Sequence, residues 1–225
     1  MPASTVYLLR HGDFRQDDVK RFIGQSDQPL NQTGRAQAEF WQRELQTVLF
    51  EWVYSSDLSR SIETASIISK ELKKTVRVLA NLREINLGLW DGLPIDEVRR
   101  CYPEEYKYRG ANLADHRPLG GESFNDLANR VLPIFEELVC SSTGNLLIVG
   151  HAGVNRVILC HLLGRPLAEI FRIRQDYCCL NLIECDNSGM HLRGINLPSL
   201  AGVGVQELSV LEGSGVPFDA DVHPA

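Results

Sequence analysis

The chain has 225 residues, 44% of them hydrophobic and 23% charged, with a formal net charge of −6. One domain of this length buries roughly 70% of its extended-chain surface and needs no disulfide staples. The acidic balance argues against a general nucleic-acid binder, whose phosphate partner recruits basic surface, and no run approaches the ~20 apolar residues of a membrane span.

The first apolar run, residues 5–9, reads as a strand that breaks abruptly into Arg10, His11 and Gly12. It is too short for a secretory core and is cut by Arg10, so a cytoplasmic location is expected. Asn31 is placed to cap a helix with the stripe Ala38, Trp41, Leu45 and Val48. Residues 52–55 read as a second strand, followed by the helical stripe Leu58, Ile62, Ala65, Ile68 and Leu72. A third strand is expected at 76–79. Residues 85–120 are polar, broken by Pro94, Pro103 and Pro118, and only weakly periodic. They are expected to be an inserted segment of short helices, forming a wall or lid over a site.

Beyond it, Ser123 and Asp126 resemble a capping box opening a helix with Phe124, Leu127, Val131 and Ile134 on one face. Residues 145–149 (NLLIV) read as a strand covered on both faces. The stretches "CLNLIEC" and "MHLRGIN" are joined through Asp186, Asn187, Ser188 and Gly189 as a hairpin. The alternation predicts an α/β fold, a three-layer sandwich with a mainly parallel central sheet flanked by helices and an antiparallel edge strand. The expected division is one domain over 1–197 and a Gly/Pro-containing tail over 198–225. Six cysteines lack zinc-ligand spacing and are read as reduced thiols, with the vicinal Cys178–Cys179 pair placed in a strand.

In open α/β sheets, ligands bind beyond the carboxyl ends of the strands. Two strands here end in a histidine beside glycine, at Arg10-His11-Gly12 and Gly150-His151-Ala152-Gly153. The glycines are expected to let a ligand approach the backbone. A third strand leads into a helix carrying Arg60 in its first turn, where a cation opposes the helix dipole unless both face an anion. Two arginines and two histidines on one edge describe a phosphate site, because the guanidinium fork matches phosphate oxygens. A neutral imidazole flanked by arginines is a competent nucleophile near neutral pH. Glu84 is the best-placed acid for a leaving oxygen. Taken singly, Arg60 could merely pair with Asp57 or Glu63, and Glu84 could be a solvated partner of Arg83. His116, His161, His191 and His223 have no such company and read as ordinary histidines.

The ordered set "LLRHG", "KRFIGQSDQPLNQTGRAQA", "YSSDLSRSIETA", "LREINLGLWDG", "RPLGGESF" and "LLIVGHAGV" resembles the histidine phosphatase (phosphoglycerate mutase-like) superfamily over about residues 5–197. The resemblance implies that His11 becomes a phosphohistidine, that Arg10, Arg60 and His151 bind the phosphoryl group, and that Glu84 donates and accepts the proton. It implies no metal and no other cofactor, a small phosphorylated metabolite as partner, and leaves a homodimer open. Two departures stand out. Phe14 and Asp17 occupy positions where many members carry a hydroxyl residue and Asn, so phosphate contacts from position 17 are not expected. The stretch from Glu84 to Gly121 is also shorter than in the mutases, which tilts the expectation towards a metal-independent phosphomonoesterase. The segments "KRFIGQSDQPL" and "RPLGGES" look most like the α-ribazole phosphatase type. Phe14, Phe22, Trp90 and Tyr108 are candidate walls for such a ligand, or core. A mutase and a non-catalytic phosphate-binding module are the rival readings.

Overall fold

The computed structural model describes residues 4–199. The chain runs β1 (Ser4–Arg10), α1 (Gln32–Glu44), β2 (Phe50–Ser55), α2 (Ser59–Ser69), β3 (Val76–Val78), α3 (Ile95–Cys101), α4 (Pro103–Ala111), α5 (Phe124–Cys140), β4 (Asn145–Gly150), α6 (Ala152–Leu162), β5 (Leu180–Asp186) and β6 (Gly189–Leu197). The strands form one sheet in the order β3-β2-β4-β1-β5-β6. The four strands from β3 to β1 are mutually parallel, and β5 pairs antiparallel with β1. The antiparallel edge is therefore two strands deep, because β6 is the hairpin partner of β5, with Asp186 opposite Gly189.

Strand periodicity explains the layers. Successive side chains of a strand face opposite ways. Val6 and Leu8 of β1, with Leu146 and Ile148 of β4, enter one core with Leu127, Val131 and Phe135 of α5 and Val157 of α6. Leu9, Leu147 and Val149 enter the other, with Ala38 and Trp41 of α1 and Ala65 and Ile68 of α2. The inner strands are thus apolar on both faces because helices cover both.

Local signals set the helix ends. The Asn31 side chain accepts the Gly34 N–H at 2.8 Å, and Ser123 with Asp126 closes a reciprocal capping box. The apolar stripes overrun their helices: Leu45 is already the cap of α1, and Leu72 lies beyond the end of α2. The weakly periodic segment holds one 3-10 turn (Gly88–Trp90), α3 and α4, anchored by Leu87, Trp90 and Val98 in the α5–α6 core. Cys178 and Cys179 do not lie in a strand. They occupy the turn before β5, where Cys178 adopts a φ of 55°. Burial pushes the Cys178 thiol strongly upward and that of Cys179 up to about 12, so both are held as neutral thiols. The tail expected from 198 onward lies almost entirely outside the described residues, as does His223. Among the described residues, no helix is long and apolar enough to cross a membrane.

Candidate active site

The carboxyl ends of β1, β2 and β4 meet at one edge of the sheet, and a cavity of about 1040 Å³ opens over it. Arg10, His11, Arg60 and Glu84 all line it. His151 lies against His11, with ring centres 5.0 Å apart, but is itself fully buried behind the cavity wall.

His11 follows β1 and is only 2% exposed. Its Nδ1 lies 2.8 Å from the Gly12 carbonyl oxygen. A carbonyl can only accept, so Nδ1 holds the ring proton and Nε2 keeps its lone pair. Burial lowers the His11 pKa well below the usual histidine value, and the charges of His151, Arg60 and Arg10 lower it further. Gly12 owes its place less to a ligand than to α1. A Cβ there would stand 2.5 Å from the Gly34 carbonyl oxygen, so the loop after β1 passes directly over the first turn of that helix.

His151 is held at Nε2, 2.7 Å from Ser56 Oγ, while its Nδ1 has no protein partner. Burial, then Arg60 and Arg10, keep its pKa well below the usual range. Two neutral imidazoles thus stand side by side.

The arginines are fixed by backbone carbonyls. Arg10 Nη1 donates to the Gln175 carbonyl at 2.6 Å, and its guanidinium stacks 3.8 Å above the Tyr177 ring. Arg60 donates to the carbonyls of Ser26 and Gly24 at 2.9 and 2.6 Å. Those carbonyls sit on a loop whose N–H groups at Gly24, Gln25 and Ser26 all converge on the Asp91 carboxylate. Asp91, on the inserted segment, thereby aims Arg60. Asp57 and Glu63 are occupied by Arg83 and Arg35, so neither ordinary helix partner holds Arg60. The Nε–H groups of Arg10 and Arg60 are both buried without an acceptor. An orphan donor of that kind costs about 1–3 kcal/mol unless a ligand meets it.

Glu84 is 7% exposed and does not pair with Arg83. Its Oε1 accepts the Ile85 N–H at 2.8 Å and its Oε2 the Gly153 N–H at 2.9 Å. The second contact needs a glycine, because a Cβ at 153 would collide with Glu84 Oε1. Arg130 of α5 clamps the same loop, donating to the carbonyls of Arg83 and Glu84 while paired with Glu122.

The remaining wall is largely aromatic. Phe14 packs 5.3 Å from the His11 ring and 5.8 Å from Tyr177, closing one side where the resemblance led one to expect a hydroxyl. Asp17 reaches the rim and pairs with Arg21 at 3.2 Å. Of the candidate walls, Phe14 and Phe22 line the cavity; Trp90 is fully buried core, and Tyr108 stands 57% exposed outside it. Phe124, legible in the sequence only as part of the α5 stripe, also lines the cavity, as do Tyr177, Phe171, Arg109 and Arg156, which carry no signal at sequence level beyond their residue type.

Comparison with known proteins agrees with this geometry. The model of the histidine phosphatase superfamily (branch 1) matches residues 6–198. The chain belongs to that superfamily. It is 31% identical over 192 residues to a Yersinia pestis protein named "Probable phosphoglycerate mutase GpmB", covering 81% of this chain and 86% of that one. Among solved structures it is similar to the α-ribazole phosphatase of Shigella flexneri, with a TM-score of 0.80 at 26% identity over 90% of this chain and 99% of that chain. It is also similar to a mycobacterial glucosyl-3-phosphoglycerate phosphatase, at TM-score 0.77 and 27% identity, covering 87% of this chain and 99% of the other. The chain is an enzyme of the histidine phosphatase superfamily.

Proposed function

We propose that the enzyme hydrolyses a small phosphomonoester through a phosphohistidine on His11. One observation carries the reading: the orphan Nε–H donors of Arg10 and Arg60 border a histidine whose proton is fixed on Nδ1, leaving Nε2 free to attack.

In the first step the His11 Nε2 lone pair forms a bond to phosphorus while the ester P–O bond breaks. Glu84, protonated, delivers its proton to the departing alcohol oxygen. Arg10 and Arg60 neutralise charge on the equatorial oxygens, and neutral His151, whose Nδ1 has no protein partner, binds by a hydrogen bond. In the second step water attacks phosphorus, Glu84 takes its proton, and the N–P bond breaks to return His11 and release inorganic phosphate. Glu84 is thereby reprotonated for the next cycle. No step draws on a metal, and a cytoplasmic location belongs to the same reading.

A mutase is the second reading, favoured by the 31% identity to a protein named as a phosphoglycerate mutase. The stretch from Glu84 to Gly121, shorter than in the mutases, favours hydrolysis of the phosphohistidine over its return to a second hydroxyl. Likeness to an α-ribazole phosphatase and the aromatic wall make α-ribazole 5′-phosphate the first substrate to try. Phosphate release from a panel of that ester, phosphoserine, 3-phosphoglycerate and glucosyl-3-phosphoglycerate, with EDTA present, tests the reading. Release that His11→Ala abolishes is expected. Rapid bisphosphate-dependent interconversion of phosphoglycerates without net release would replace the phosphatase by the mutase.

A further inference from the structure

β2 and β4 run parallel with Ser55 opposite Val149, so the first residues beyond the two strands meet at the carboxyl edge of the sheet. Ser56 follows β2 and His151 follows β4, and both are fully buried. Ser56 Oγ lies 2.7 Å from His151 Nε2 and 3.3 Å from the Leu58 backbone nitrogen, just before α2. The Leu58 N–H can only donate, so Oγ accepts there and still has its own proton to place. Among the described residues the one acceptor that hydrogen-bonds Oγ is His151 Nε2. The opposite arrangement, an Nε2–H donating to Oγ, would strand the hydroxyl proton in a dry interior.

A neutral imidazole carries one proton, and the bond made by one ring nitrogen decides where it sits. With Nε2 accepting from Ser56, the proton sits on Nδ1. Four buried side-chain nitrogen or oxygen atoms have no partner among the described residues, and three of them are His151 Nδ1, Arg10 Nε and Arg60 Nε. The fourth, Trp90 Nε1, lies in the core away from the sheet edge. The first three belong to the residues whose charges act on His11. Three orphan donors around one nucleophile are satisfied together when a phosphoryl group sits among them. The two imidazoles are then opposites: His11 presents a lone pair at Nε2, and His151 presents a proton at Nδ1.

We propose that Ser56 is a positioning residue for phosphoryl transfer, holding His151 as the Nδ1–H tautomer so that it donates to a phosphoryl oxygen and has no lone pair with which to attack. The inference rests on the phosphohistidine reading of His11. It adds the reason why, of two adjacent buried histidines, only one is a nucleophile. Ser56 itself does not line the cavity, and its hydroxyl acts through His151.

The test is proton-detected 15N NMR of the full chain labelled at histidine, in which two-bond couplings tell an Nδ1–H ring from an Nε2–H ring. His151→Gln identifies the His151 signals by their loss. In the native chain near neutral pH, His151 should show the Nδ1–H pattern, and its Nδ1 resonance should move as inorganic phosphate is added to saturation. An Nε2–H or doubly protonated ring, or an Nδ1 signal indifferent to bound phosphate, would overturn the proposal. In Ser56→Ala the Nδ1–H form should no longer be exclusive, and kcat/KM for phenyl phosphate should fall about tenfold, as for one lost hydrogen bond. Ser61→Ala removes another buried hydroxyl, the one that ties α2 to the Val149 carbonyl. It should leave the tautomer unchanged and kcat/KM within about threefold of the native value, as a bond remote from the reacting atoms does. An unchanged tautomer in Ser56→Ala, or equal losses in the two variants, would overturn the positioning role. If Ser56→Ala fails to fold, the native-chain signals decide alone. Turnover that His11→Ala abolishes, with an Nε2–H ring at His151, removes only the role of Ser56. An Nδ1–H ring that responds to phosphate, but with no turnover, keeps the tautomer and removes the hydrolase. Neither phosphate binding nor turnover removes both.

Discussion

At the scale of single residues, the chemistry depends on where protons are parked. The Gly12 carbonyl fixes the His11 tautomer, and two backbone N–H groups fix the Glu84 carboxyl. Gly153 is the most exposed link in this chain of constraints, because its missing side chain is what admits Glu84 to the α6 amide. Gly153→Ala should displace the carboxyl from its amide, cutting kcat about 10- to 10³-fold, as misplacing a proton donor does. The fold should hardly notice, since alanine suits a helix better than glycine by up to about 1 kcal/mol. Steady-state kinetics beside a thermal melt checks this; an unchanged kcat would show that Glu84 does not need that contact.

At the scale of elements, the site is a product of helix starts and strand ends. Arg60 occupies the first turn of α2, where a cation is misplaced unless it serves an anion, and that misfit was readable from the sequence. The strands, both caps and the hairpin were readable for the same reason: each is written in a few adjacent residues. Arg10, His11, Arg60 and Glu84 could be assembled because strand ends converge in this kind of sheet, and the family resemblance ordered them. Cys178 and Cys179 misled because apolar residues next to a strand resemble its continuation, while the turn is set by contacts from afar: Trp41 Nε1 donates to the Cys178 carbonyl at 2.7 Å. The residues that sequence reading passed over share one property, that their role is non-local. Asp91 acts on Arg60 through another loop, Arg130 on Glu84 from α5, and Tyr177 on Arg10 by stacking. Arg109 is of the same kind: it reaches the cavity only because α4 packs across the insertion.

At the scale of the whole molecule, two helix-covered cores hold the sheet rigid while its carboxyl edge carries the buried polar groups. That arrangement has a pH signature. His11 and His151 are buried neutral, with folded pKa values below 6.5. Below pH 6.5 the unfolded chain binds protons that the folded chain refuses, so stability is full above that value and is lost as pH falls towards the folded pKa values. The slope approaches about 1.4 kcal/mol per pH unit for each such group. The melting temperature should therefore drop by several degrees between about pH 7.5 and 5.5, above the range where most paired carboxylates titrate. The drop should be shallower in His11→Gln. A melting temperature that is flat or rising over that interval would mean that the two histidines are not held neutral.

The phosphohistidine itself is open to direct capture. Rapid mixing with a 32P-labelled substrate from the panel, alkaline quenching and peptide mapping should find base-stable, acid-labile label on His11, forming at least as fast as phosphate is released and absent from His11→Ala. Release of phosphate with no label on His11, or label on His151 in its place, would contradict the mechanism.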